Sequence, residues 1–291
     1  MPDVSTLSWS EPTARLAAFI SVFVLMAALE LAWPRRRLGW SKAKRWVTNL
    51  SIVGLGAALV RVFSAIAALT AVPIVATLAA AWAEARGIGL LNMVAWPAGL
   101  EVLFAVVILD FAIWLQHLLA HRIELLWLFH RMHHADVDFD VTTALRFHPV
   151  EIGLSMLYKV VWVVALGASP LAVLIFEVVL NALAMFNHAN FALPLPIDRM
   201  MRGLIVTPDM HRVHHSISPR EHHSNFGFNL SVWDRLFGTY NAQPAAGHEA
   251  MTIGLPPWQS EAPTGLGWSL KLPFTGPAPD HKVRAMSARR D

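Results

Sequence analysis

FAIWLQHLLAHRIELLWLFHRMHH, residues 111–134, begins as an apolar run and ends as a string of imidazoles. It carries His117 and His121, four residues apart, and then His130, His133 and His134. A later string, HRVHH, repeats the second pattern at His211, His214 and His215. Residues three or four apart share one face of an α-helix. Eight imidazoles thus project from three short helical faces, enough to enclose a pair of metal ions. Histidine makes up 14 of 291 residues, so a given HxxHH arises by chance on the order of 0.03 times in such a chain.

Around these strings the chain is that of a membrane protein. It is 55% hydrophobic and only 15% charged, against about 25% in soluble domains. The pI is near 9.6, but the basic residues flank apolar runs, which points to membrane topology and not to nucleic acid. With no cysteine, disulfides, thiolate metal sites and iron–sulfur clusters are excluded. About 20 apolar residues cross a bilayer. Residues 17–33 supply one run, and 100–119 another. Residues 50–82 suit a tilted span plus a re-entrant piece around Pro73. Residues 152–186 read as a helical hairpin broken at Gly167–Pro170. The first fifteen residues lack the basic region of a cleavable signal, so the first run is expected to stay as an anchor.

The expected fold is an all-α integral membrane protein of four to five transmembrane helices, with a cytoplasmic helical cap holding a histidine-rich dimetal site. Residues 1–95 form the anchor spans, 96–246 the catalytic domain and 247–291 a flexible tail rich in Pro, Gly and Ala. The basic stretch RRRLGWSKAKR after the first run sets the cytoplasmic side, the inner membrane in a bacterium. Counting spans from there puts all three histidine strings on that same side.

Neutral imidazole binds iron, zinc and copper. No Glu stands three residues before any of these histidines, and no HExxH occurs, so carboxylate di-iron bundles and zinc proteases are poor parallels. A nearly all-nitrogen site beside a membrane fits non-haem iron handling dioxygen, with zinc as the alternative occupant. HLLAH, HRMHH, RFHPVE, FNHAN, PDMHRVHH and NFGFNLSVWDRLFGTY, taken in order from the third span through Tyr240, resemble the fatty acid hydroxylase and sterol desaturase superfamily of membrane histidine-box di-iron oxygenases. The resemblance implies an oxidoreductase that hydroxylates or desaturates a lipid (a sterol, fatty acid or relative) with O2 and two electrons. It implies two iron ions as cofactor, a lipid drawn from the bilayer, and a separate electron donor, either a redox protein or a reduced pterin. By position it assigns as ligands His117, His121, His130, His133, His134, His211, His214 and His215, with His188 as a further one. Two other readings stand beside it, a zinc-dependent membrane hydrolase and a metal-binding or transport protein without catalysis.

The remaining candidates are weaker. His148 and His223 are candidates for the metal or its vicinity, whereas His248 and His281 read as surface residues of the tail. Helical spacing puts Asp110 on one face with Trp114, His117 and His121, where its carboxylate is expected to hold the outer nitrogen of a ligand. Glu177 and Asn181 share a face with His188. Asp209, Asn225 and Asp234 are expected to play the same part on the cap.

Overall fold

The computed structural model describes residues 11–70 and 75–276; Pro73 and His281 lie outside them. The fold is that of an all-α membrane protein. Among the described residues, five helices are long and apolar enough to cross a bilayer, the upper end of the expected range. They are α1 (Glu11–Ala32), α2 (Lys42–Thr70), α4 (Ala98–Arg122), α6 (Pro149–Leu166) and α7 (Pro170–Asn187). Short helices build the cap: α5 (Glu124–His134), α8 (Leu195–Met201), α9 (Pro208–His214), α10 (Pro219–His222) and α11 (Val232–Leu236). Among the described residues, strand-like pairing is confined to isolated bridges such as Pro34 with Phe191.

The break at Gly167–Pro170 is the predicted hairpin turn. Gly167 ends α6 in the left-handed region (φ 71°), and the Ser169 side chain caps α7 by accepting from the Ala172 amide. Each arm has 18 residues, about 27 Å of helix and close to a bilayer core. Glu101 of α4 accepts from the Ser169 amide (3.0 Å) and hydroxyl (2.8 Å), tying the turn to the bundle. The short helix α3 (Ala76–Glu84) packs there with Ala76, Ala79, Ala80 and Ala83 fully buried, since methyl-sized side chains let helices approach closely. Gly89 passes so near that an added Cβ would lie 2.2 Å from the Gly167 amide nitrogen.

The second span begins earlier than its apolar run. The first two turns of α2 are polar and enter the cap, where Arg45 is fully buried. Its guanidinium reaches Asp136 (2.7 Å) and Asp140 (2.6 Å), and Asn49 one turn on donates to the Thr142 hydroxyl (3.0 Å). This network fixes the buried loop after α5. Arg45 thus belongs to the cap's interior as well as to a basic flank.

The tail departs from expectation. Residues 247–276 fold against the cap. Leu255 and Leu272 join a buried cluster with Ile52, Trp127 and Met132. Arg146 donates to the Pro263 carbonyl and the Ser269 hydroxyl, both at 2.8 Å. The segment has no helical or strand period, because its apolar residues fill the cap singly from short turns. Composition alone therefore reads as a loose extension.

Candidate metal centre

Four helices aim their C-terminal ends at one point. α4 ends one residue beyond His121, α5 ends on His134, α7 is capped by His188, and α9 ends on His214 with His215 as its cap. Helix C-termini carry partial negative charge, which favours a cation there. The nine imidazoles that meet are all buried and fall into two groups. His117, His121, His130, His134 and His214 form one; His133, His188, His211 and His215 form the other. Within each group the ligand atoms lie within 4.8 Å of one another.

The donor set fits metal ions by three observations. Imidazole nitrogens face each other at 3.1 Å in His117–His130, His121–His134 and His188–His211, and at 3.3 Å in His133–His188. Two nitrogens each about 2.1 Å from a shared ion, at angles between octahedral and tetrahedral, stand roughly 3.0–3.4 Å apart. Next, His214 Nε2 and both nitrogens of His215 are buried without a hydrogen-bond partner, and a cation would take up one nitrogen of each ring. Finally, the imidazoles are neutral and so available as ligands. Burial first, and then the neighbouring rings, hold His133, His134, His211, His214 and His215 well below the usual 6.5. Burial brings His188 down to about 4, against the opposing pull of the Ala184 carbonyl.

Outer nitrogens are held mostly by backbone. His117 Nδ1 donates to the Phe226 carbonyl (2.8 Å), His214 Nδ1 to that of Ser224 (2.6 Å) and His188 Nδ1 to that of Ala184 (2.8 Å). The exception is His130, whose Nδ1 donates to Glu151 (2.7 Å) at the start of α6. Glu151 was not singled out from sequence; the available signal is an acid at the head of an apolar run, three residues after His148. Phe147 stacks on His133 (4.5 Å), and Phe226 and Phe139 close the two sides, keeping water from the rings.

The expected outer partners sit elsewhere. Asp110 touches no imidazole: it accepts from Trp233 Nε1 (2.7 Å) and the Leu230 amide (3.3 Å), pinning the loop before α11. Asp234 acts at one remove. It accepts from the Phe226 and Gly227 amides (both 2.8 Å) and Trp114 Nε1 (3.1 Å), and so fixes the carbonyl that holds His117. Burial pushes its carboxyl up despite these donors. Asn225, in the left-handed region at φ 54°, secures the same loop by donating to the Met210 and Asn241 carbonyls. Glu177 lies away from the centre, paired with Lys159 (2.6 Å) and Arg15 (2.7 Å), and Asn181 donates to its carbonyl. The face they share with His188 is real, but Asn181 lies about two helical turns and Glu177 about three from His188, and only the last turn reaches the rings. Asp209 pairs with Arg35 and Arg212. His148 caps α6 by accepting from the Val150 amide (3.2 Å), a structural task outside both groups. His223 Nδ1 lies 3.4 Å from the outer nitrogen of His121, also outside the two groups. His248, expected at the surface, is buried beside Asp209 (3.6 Å), because the tail folds over it.

Comparison with known proteins reaches the same stretch. Residues 102–239 match the fatty acid hydroxylase family model. The chain is similar to the ornithine lipid hydroxylase OlsE of Rhizobium tropici, 32% identical over 51% of this chain and 44% of that protein. It is similar to the alkylglycerol monooxygenase of Xenopus tropicalis, 32% identical over 45% of this chain and 28% of that protein. Cholesterol 25-hydroxylase of Rattus norvegicus is 29% identical over 50% of this chain and 48% of its own length. The matched part therefore spans less than half the length of each of these relatives. No solved structure matches.

Proposed function

The chain belongs to the fatty acid hydroxylase superfamily through residues 102–239, and from that premise we propose that it is a membrane-bound non-haem di-iron oxygenase that hydroxylates a lipid with O2 and two electrons. The observation that carries the reading is the pair of buried, all-imidazole groups, five rings and four. His117, His121, His130, His134 and His214 would hold one iron, and His133, His188, His211 and His215 the other. Iron bound there would supply the activation of dioxygen that an unactivated C–H bond requires. Hydroxylation is favoured over desaturation because the similar proteins are named hydroxylases and monooxygenases.

The chain's own residues do the positioning. The carbonyls of Phe226, Ser224 and Ala184, with Glu151, take the outer protons of four rings and so turn their other nitrogens inward. Phe139, Phe147 and Phe226 keep water from the rings. The lipid enters from the bilayer, since the centre lies at the ends of α4 and α7, both spans. Electrons come from a separate donor, a redox protein or a reduced pterin, reaching the cap on the cytoplasmic side that the basic residues after α1 favour.

The test is comparative lipid mass spectrometry of cells with and without the active chain under labelled dioxygen, together with metal analysis of the purified protein. The reading predicts iron in the protein and one labelled oxygen in a lipid. Loss of two hydrogens without label would make it a desaturase. Zinc with no oxygen consumption would move it to the hydrolase class.

A further inference from the structure

Behind the four-imidazole group lies a second cluster that the oxidation does not use. Arg35 and Arg36 follow α1, Arg202 follows α8, Arg212 stands between two ligands on α9, and His248 comes from the tail. Arg35, Arg212 and His248 meet at Asp209, and Arg36 and Arg202 stand near His248. Arg35 Nε is 3.2 Å from its carboxylate, His248 Nε2 is 3.6 Å away, and Arg212 pairs with it directly. Arg36 Nη1 reaches the His248 carbonyl at 3.5 Å. The other acids nearby meet only part of the demand. Asp198 pairs with Arg202 through Oδ2 while its Oδ1 is buried without a partner, Asp138 accepts from the Trp40 amide, and Glu249 points to solvent at 83% exposure while touching Arg35.

These acids leave donors without acceptors. Arg212 Nε and Nη2, Arg202 Nε, Arg36 Nε and His248 Nδ1 are all buried and unpartnered. Arg212 is wholly buried and Arg202 6% exposed. Buried cationic N–H groups without partners are costly, and each asks for an explanation. His248 feels the neighbouring arginines. Its imidazole is brought to about 4 by burial first, and Arg212, Arg35 and Arg202 push the same way against Asp209. Several buried cationic N–H donors left without acceptors are what an anion with several oxygens takes up.

The place identifies the source of that anion. Arg35 lies three residues past the end of the first span, and Trp33 between them is 63% exposed, as interfacial tryptophans are. Alongside, α8 turns Asp198 and Arg202 inward while exposing Leu195 (64%) and Met200 (74%), the pattern of a helix lying in the membrane surface. We infer that Arg35, Arg36, Arg202, Arg212 and His248 form a binding site for the phosphate group of a lipid headgroup at the membrane rim.

The experiment reads binding without turnover, so it stands or falls apart from the proposed oxidation. The full chain in uncharged detergent is presented with phosphatidic acid or with diacylglycerol of the same acyl chains, and retained lipid is measured by native mass spectrometry. Inorganic phosphate is added as a competitor in a separate arm. Phosphatidic acid is expected to be retained at least about tenfold over diacylglycerol, and Arg36→Gln to lose most of that preference, as removal of one charge-assisted donor set implies. Arg36 suits the test because Asn190 holds its backbone on both sides, accepting from its amide and donating to its carbonyl, without the side chain. Unchanged melting temperature and metal content in Arg36→Gln confirm the fold, and Arg36→Lys should recover part of the preference. Equal retention of the two lipids, or a preference untouched by Arg36→Gln, would overturn the site. Inorganic phosphate displacing the lipid at equal concentration would overturn its assignment to a headgroup.

Discussion

The five-imidazole and four-imidazole groups are equally buried and built from overlapping strings, yet they differ in what stands behind the rings. In the larger group, four of five rings have a partner at the outer nitrogen: Phe226, Glu151 and Ser224 for three, and His223 at 3.4 Å for His121. In the smaller one, of four, only His188 is held in that way, and His133, His211 and His215 have Nδ1 atoms without partners. Outer hydrogen bonds fix the tautomer, the ring angle and the basicity of a ligand. The first group would thus be set before a metal arrives, and the second would be completed around the ion. The two sites should bind unequally, the five-imidazole group more tightly.

The sequence pattern explains how one motif serves both groups. On α5, His130 and His134 go to the larger group and His133 to the smaller. On α9 the assignment is reversed, with His211 and His215 in the smaller group and His214 in the larger. Successive residues of a helix point about 100° apart, so an HxxHH gives its i, i+4 pair to one group and its middle histidine to the other. Each string bridges the two groups, which is a reason for the motif to occur twice.

The largest effect should come from ligand loss. His134→Ala removes a ring that faces His121 at 3.1 Å, and activity is expected to fall by more than the roughly 10–100-fold that loss of an outer partner costs; labelled-oxygen incorporation measures it. Glu151→Gln comes next. It weakens the hold on His130 alone, and metal affinity at the larger group should drop about 10–100-fold while the smaller group is unaffected; competition with a chromogenic chelator reads both. The inequality itself is tested by timed chelation of the unaltered protein. Release should be biphasic, with the early phase abolished in His188→Ala; a single phase would mean that the outer contacts do not set affinity. Asp234→Asn disturbs the larger group only through the Phe226 loop, and leaving one buried amide poorly paired should cost about 1–3 kcal/mol of stability, seen as a lower melting temperature. Asn181→Ala is the smallest. Its side chain bonds within its own helix, so metal content should not change.

How much of this was legible follows from the same physics. The histidines that meet could be picked out because helical spacing is written directly in sequence, and four to five spans because apolar length is. The division into groups could not, since it depends on how four helix ends meet. The outer partners were missed because a carbonyl such as that of Phe226 or Ser224 leaves no trace in residue identity. Asp110 misled for a related reason. Sharing a face with His117 put it two turns away, and Trp233, arriving from the cap, claimed its carboxylate. The tail and His248 were misjudged because packing by single residues has no period to detect.

The central claim is that nine imidazoles hold two ions in two separate groups, and counting metal in purified protein tests it most directly. Elemental analysis of the unaltered chain, His134→Ala and His133→Ala should give two irons per chain for the first and close to one for each variant. One ion or none in the unaltered chain, or two in all three, would contradict it.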